Sequence, residues 1–219
     1  PIIIGRDTRA SGTVLERTMQ KGFEASGLSV IFLGVVPTPA VALGVLKYQA
    51  CLGIALTASH NPASDNGIKL FNHKGEKFSL SVEESIEELV DSIKTDYQAE
   101  ELPKPEYIDN EHYIEAYKGL LKDSALSGLK IVLDCANGAT FKTSPKILKA
   151  YGADLVLLGV EPDGCNINKG VGSECPSSLS EAVLQAEADI GLAHDGDGDR
   201  LVVCDEKGAI VPGDVLLGI

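Results

Sequence analysis

The chain has 219 residues, 44% of them hydrophobic and 23% charged, enough for one large or two ordinary globular domains and unlike a disordered polymer. Its net charge of -13 excludes a broad nucleic-acid-binding face, and no apolar run is long enough to span a membrane. Five cysteines, odd in number and without a CxxC pair, read as reduced thiols of a cytoplasmic protein, with Cys51, Cys135 and Cys204 expected to be buried.

Pro1 falls directly on an apolar run and Met19 is the one methionine, so the chain is expected to begin inside a longer one. Residues 2–4 predict a buried strand, followed by the loop Gly5-Arg6-Asp7-Thr8-Arg9. Ser11 is a plausible N-cap for a helix over 12–26, and residues 29–33 predict a second strand. Pro37-Thr38-Pro39 breaks the chain before a short helix over 40–48, and 52–56 reads as a third strand. Residues 68–71 and 77–78 flank a hairpin turn, and Ser81 with Glu84 forms a capping box for a helix over 82–95. A polar connector over 96–108 leads to a helix over 109–123. Strands at 129–133, 155–160, 190–193 and 201–204 then alternate with helices at 141–151 and 179–186, and a last helix begins near Asp214.

Strands alternating with helices imply two consecutive three-layer α/β/α domains with mainly parallel, mixed sheets, divided as 1–126 and 127–219. Each half opens as strand, loop, helix, strand, which is weak evidence for an internal repeat.

The densest chemistry lies in Asp195-Gly196-Asp197-Gly198-Asp199-Arg200. Alternate side chains of an extended segment face one way, and the glycines permit bends that let the carboxylates converge. Three converging carboxylates raise one another's pKa unless a divalent cation relieves them, and an all-oxygen set suits magnesium or calcium. The spacing also matches the first ligands of an EF-hand, but Arg200 stands where that loop needs glycine, and the flanks are strand-like. A solvated acidic turn is the plain alternative.

Thr57-Ala58-Ser59-His60-Asn61-Pro62 follows the third strand, so Ser59 emerges at a strand's C-terminal end, where ligands gather in open α/β sheets. There is no G-x-S-x-G elbow, and His60 is badly placed to serve as base for its neighbour. An ordinary turn serine is one reading. A phosphoserine is the other, its near-dianionic charge answered by a metal and by Lys69, His60 and Arg200. His73, His112 and His194 read as turn, helix-surface and packing residues.

Together, the Ser59 and Asp195 segments resemble the α-D-phosphohexomutase family. Gly5-Arg6-Asp7-Thr8-Arg9, Pro37-Thr38-Pro39, Asp65-Asn66-Gly67-Ile68-Lys69 and Asp134-Cys135-Ala136-Asn137-Gly138-Ala139 follow the family's order along nearly the whole chain. Glu161-Pro162-Asp163-Gly164-Cys165-Asn166-Ile167-Asn168 with Gly172-Ser173 looks like the branch that acts on glucosamine phosphates for amino-sugar nucleotide and cell-wall precursor synthesis.

The resemblance implies that Ser59 carries a phosphoryl group, and that Asp195, Asp197 and Asp199 bind one Mg2+ together with an oxygen of that phosphoserine. It makes Lys69 the proton-transfer residue, with a pKa expected to be depressed. His60 and Arg200 would stabilise the transferring phosphate, and Arg9 would support the serine loop. The expected substrate is a small sugar phosphate, with a hexosamine 1,6-bisphosphate as intermediate and activator; a homodimer is compatible. Phosphomannomutase or phosphoglucomutase activity is an alternative, as is a non-catalytic metal- or anion-binding module. The family has four domains, so the sugar-reading and phosphate-gripping loops are expected to lie outside this chain.

Overall fold

A computed structural model describes residues 1–93 and 104–218. The first lobe runs β1 (Ile2–Arg6), α1 (Ala10–Ala25), β2 (Val30–Val35), α2 (Thr38–Lys47), β3 (Leu52–Leu56), β4 (Ile68–Phe71), α3 (Leu80–Ser92) and α4 (Glu111–Ala116). The second runs β5 (Lys130–Asp134), α5 (Thr143–Ala150), β6 (Asp154–Leu158), α6 (Pro176–Ala186), β7 (Ile190–His194), β8 (Leu201–Asp205), β9 (Ile210–Val211) and α7 (Gly213–Leu217).

Two mixed sheets result, in the orders β2-β1-β3-β4 and β6-β5-β7-β8-β9. The first three strands of each are parallel, and β4, β8 and β9 join antiparallel. The lobes therefore share one winding, an internal likeness stronger than their loop sequences suggest.

Side-chain alternation on β1 produces the layers. Ile3 packs with Leu33, Val41 and Val45 on the α2 face. Ile2 and Ile4 pack with Phe32, Ile54 and Leu56 on the opposite face, against Leu15, Met19 and Phe23 of α1. In the second lobe, Val132, Leu179, Val183, Ala193 and Cys204 form the core under α6. Each fully buried aliphatic chain contributes about 1.5–3 kcal/mol. No helix among the described residues is long and apolar enough to cross a membrane.

Several element ends differ from the sequence reading. α1 begins at Ala10 rather than after Ser11, because Arg9 occupies the cap position while its side chain turns into the serine loop. Ser11 instead accepts a hydrogen bond from Asn66 at 2.8 Å. α3 begins at Leu80 behind Ser79, so Ser81 and Glu84 lie inside the helix rather than forming a capping box. The predicted end of that helix at 94–95 and the connector at 96–103 lie outside the described residues.

α4 stops at Ala116, well short of 123. The Tyr151 hydroxyl takes the Tyr117 carbonyl, and Gly119 adopts φ +80°, which a side-chain-bearing helical residue would resist. Tyr113 of α4 inserts into the first lobe's core, and His112 is half-buried against the Ala40 carbonyl rather than on an open face. Cys135 and Cys204 are buried as expected, but Cys51 is exposed, lying just ahead of β3.

Candidate active site

The carboxyl ends of the parallel strands in both sheets converge on one cleft, where open α/β sheets place their ligands. β3 delivers the serine loop and β7 the acidic loop, and these strands hold equivalent places in the two sheets. Ser59 Oγ donates to Asp195 Oδ2 at 2.6 Å, joining the two loops directly.

The serine loop is held from beneath. Thr57 Oγ1 donates to Asp7 Oδ2 at 2.7 Å and accepts from Ser59 N at 2.9 Å. Arg9, fully buried, donates through Nε to Asp7 Oδ2 at 2.8 Å. Its Nη2 donates to the carbonyls of Ser59 at 3.0 Å and Asn61 at 2.8 Å. Its Nη1 donates to the Asp65 carbonyl at 2.9 Å and to the Pro62 carbonyl. One guanidinium, with donors in a fixed fork, thus gathers four loop carbonyls. Ser59 itself sits at φ +51°, an uncommon conformation for a serine, which this network sustains.

In the acidic loop, Asp195 Oδ1 accepts from the backbone N–H groups of Gly198 at 3.1 Å and Arg200 at 3.2 Å. Asp197 Oδ2 accepts from Lys69 Nζ at 2.7 Å and from the Thr38 hydroxyl, while its Oδ1 is buried without a partner. Asp199 Oδ2 accepts from Lys69 Nζ at 2.9 Å. Oxygen atoms of the three carboxylates lie within 4.8 Å of one another.

Burial, reinforced by the charges of Asp197 and Asp199, pushes the Asp195 carboxyl up from 3.8 to about 6, although the Ser59 hydrogen bond opposes the shift. Burial would raise Asp197 as well, but hydrogen bonds from Lys69 and Thr38 outweigh it and hold that carboxyl below its ordinary value. The donor set suits Mg2+: three hard oxygen ligands close together, one of them an orphaned buried atom, with a strained charge balance that a cation would relieve.

Lys69 corrects one expectation. Burial alone would lower its pKa, but hydrogen bonds and charge from Asp197 and Asp199 outweigh burial and raise it. It rests here as an ammonium bridging two carboxylates.

The remaining expected residues are less tightly gathered. His60 follows Ser59 and keeps Nδ1 buried without a partner. The Arg200 guanidinium lies at the rim, 52% exposed, 3.9 Å from Glu174 and 4.0 Å from Asp199, so its backbone N–H rather than its side chain braces Asp195. His194 faces Ser144 and the Arg200 carbonyl, and burial lowers its pKa.

Sequence reading gave no role to Thr38, Thr57, Asp7 or Asn168, although all lie in segments that carried the resemblance. Gly196 is needed for close approach: a Cβ there would meet the Ser59 carbonyl at 2.5 Å and Ile167 at 2.8 Å. Backbone bonds seal the same seam, from Thr38 N to the Asp197 carbonyl at 2.9 Å and from Ala10 N to the Gly164 carbonyl at 3.0 Å.

Comparison with known proteins agrees with this architecture. Residues 1–97 match phosphoglucomutase/phosphomannomutase α/β/α domain I, and residues 111–208 match domain II. A phosphoglucosamine mutase from Xanthobacter autotrophicus is 46% identical over 223 aligned residues, covering 100% of this chain and 50% of the relative. Another from Bradyrhizobium diazoefficiens is 48% identical with the same coverage. The crystal structure of a phosphoglucomutase/phosphomannomutase family protein from Burkholderia thailandensis superimposes with TM-score 0.77 at 29% identity, over 97% of this chain and 48% of that one. The chain spans about half the length of the curated relatives it matches. With both domain models matched in order across most of its length, the chain belongs to the phosphoglucomutase/phosphomannomutase family, the α-D-phosphohexomutases.

Proposed function

We propose that this chain is the phosphoryl-transferring half of a cytoplasmic phosphoglucosamine mutase. The enzyme interconverts glucosamine 6-phosphate and glucosamine 1-phosphate in the supply of amino-sugar nucleotides and cell-wall precursors. The observation that carries the reading is the 2.6 Å contact between Ser59 Oγ and Asp195 Oδ2, which puts a nucleophile-bearing loop on a three-carboxylate loop. The names of the relatives at 46–48% identity favour glucosamine over mannose or glucose phosphates.

Phosphoryl transfer asks a protein chiefly for alignment and charge neutralisation. In this reading Ser59, held phosphorylated, gives its phosphoryl group to a hydroxyl of the bound sugar phosphate. The resulting hexosamine 1,6-bisphosphate turns in the site and returns its other phosphoryl group to Ser59. Asp195, Asp197 and Asp199 would hold Mg2+, which when bound would supply Lewis-acid stabilisation of the phosphoryl oxygens. Arg9 keeps the loop carbonyls gathered so that Oγ stays aimed into the cleft. Lys69, held between Asp197 and Asp199 beside Ser59's loop, is the residue placed to exchange a proton with the substrate hydroxyl. His60, next to Ser59, and the exposed fork of Arg200 would donate hydrogen bonds to the transferring group.

Intact-mass measurement of the purified chain should reveal one phosphoryl group, mapped to Ser59 and lost in Ser59→Ala. The native-length enzyme, assayed with competing hexose phosphates, should turn over glucosamine phosphate best. Full mutase activity in Ser59→Ala would sink the mechanism, and a preference for mannose phosphate would move the assignment to a sister activity.

A further inference from the structure

The serine loop is gripped from both lobes at the same two atoms. Arg9 Nη2, from the first lobe, donates to the carbonyls of Ser59 and Asn61 at 3.0 and 2.8 Å. Asn168 Nδ2, from the second lobe, donates to the same carbonyls at 2.9 and 3.1 Å. The backbone of Asn168 is fixed independently: its N–H donates to the Ala136 carbonyl at 2.8 Å, and its φ is +60°. Asparagine suits this post, since it tolerates the left-handed region and its amide carries two donors on one nitrogen.

A role confined to its own loop does not explain the side chain. Asn166 makes that loop's internal bonds, donating to the Glu161 carbonyl at 2.9 Å and accepting from Asp163 N at 3.0 Å. The hydrogen bonds of the Asn168 amide all cross to the first lobe, and its Oδ1 is buried without a partner. Gly196 makes room for the crossing, because a Cβ there would stand 2.9 Å from Asn168 Nδ2.

We propose that Asn168 is a positioning residue for Ser59, a cross-lobe latch that fixes the serine loop in register with the acidic loop. The idea deepens the phosphoryl-transfer reading and rests on it for its functional consequence. Ser59 Oγ meets Asp195 with the Ser59 backbone at φ +51°, and the latch ties that posture to the second lobe as well as to Arg9.

Two variants test it. Asn168→Gly keeps the left-handed backbone and deletes both donors; Asn168→Asp keeps the shape and turns oxygen toward two carbonyls. Amide hydrogen exchange of the 219-residue chain should accelerate roughly tenfold across residues 57–66 in both, while β5 and β7 exchange as in wild type. Unchanged exchange across 57–66, or equal loosening of β5 and β7, overturns the proposal.

Incubation of the native-length enzyme with Mg2+ and a hexose 1,6-bisphosphate, followed by intact mass, gives the functional arm. Phosphoryl loading of Ser59 should slow about 10- to 100-fold in both variants. If wild type loads and the variants load equally fast, the positioning role fails alone. If wild type neither arrives phosphorylated nor loads, the phosphoryl-transfer reading fails, and the latch stands or falls on the exchange data.

Discussion

Asp195→Asn should stabilise the cation-free protein while abolishing its response to Mg2+. Asp195 is fully buried, and burial with the nearby charges of Asp197 and Asp199 moves its carboxyl from 3.8 to about 6. The folded chain therefore holds that proton more tightly than the unfolded chain, so wild type loses stability as pH rises from about 4 to about 6 and recovers none of it above. Two pKa units correspond to at most about 3 kcal/mol, and relaxation of the loop reduces this to about 1–3 kcal/mol. The asparagine carbonyl oxygen can still accept from Gly198 N and Arg200 N, and its amide can meet the Ser59 hydroxyl, so little else is lost. In chelator at pH 8 the variant should melt roughly 3–8 °C above wild type, and the gap should close near pH 4. Added Mg2+ should raise the melting point of wild type by mass action and leave the variant nearly unmoved. A variant that melts below wild type in chelator, or that Mg2+ stabilises equally, refutes the account of the acidic loop as a strained cation site.

Arg9→Met should be among the most destabilising single changes. It strips the cationic partner from buried Asp7 and removes one donor from each of four loop carbonyls, so urea melts should report a loss of about 3–5 kcal/mol. A loss under about 1 kcal/mol would show that water replaces the guanidinium. Gly196→Ala should leave each lobe folded but wedge the loops apart, since its Cβ would fall 2.5 Å from the Ser59 carbonyl. Circular dichroism near wild type combined with Mg2+ affinity lowered about tenfold or more is the expected pair of results. Unaltered affinity would mean that the seam yields without consequence.

The strands were legible because buried parallel strands are unbroken apolar runs, and the chemistry-bearing loops were legible because their residue types have few other uses in such patterns. What escaped was whatever depended on a distant partner. Arg9 displaced Ser11 from the cap of α1 because its side chain is committed to a loop some fifty positions away. α4 ended early because Tyr151 claimed the Tyr117 carbonyl. The sign of the Lys69 shift depended on whether its nearest charges are cations or carboxylates, and its sequence neighbours do not reveal that the carboxylates of Asp197 and Asp199 win.

Thr38 and Asn168 show the same limit most clearly, since their partners in the site lie 159 and 109 residues away. They also show how the site is organised. Each lobe supplies one of the two loops and a polar side chain that steadies the other: Thr38 of the first lobe holds the Asp197 carboxylate, and Asn168 of the second holds the backbone of Ser59. Neither lobe alone can present both the Ser59 hydroxyl and the three-carboxylate set, so the site is a property of their junction. Sequence reading finds the candidate groups because their pattern is local; the residues that hold them together become visible only when the two sheets are brought face to face.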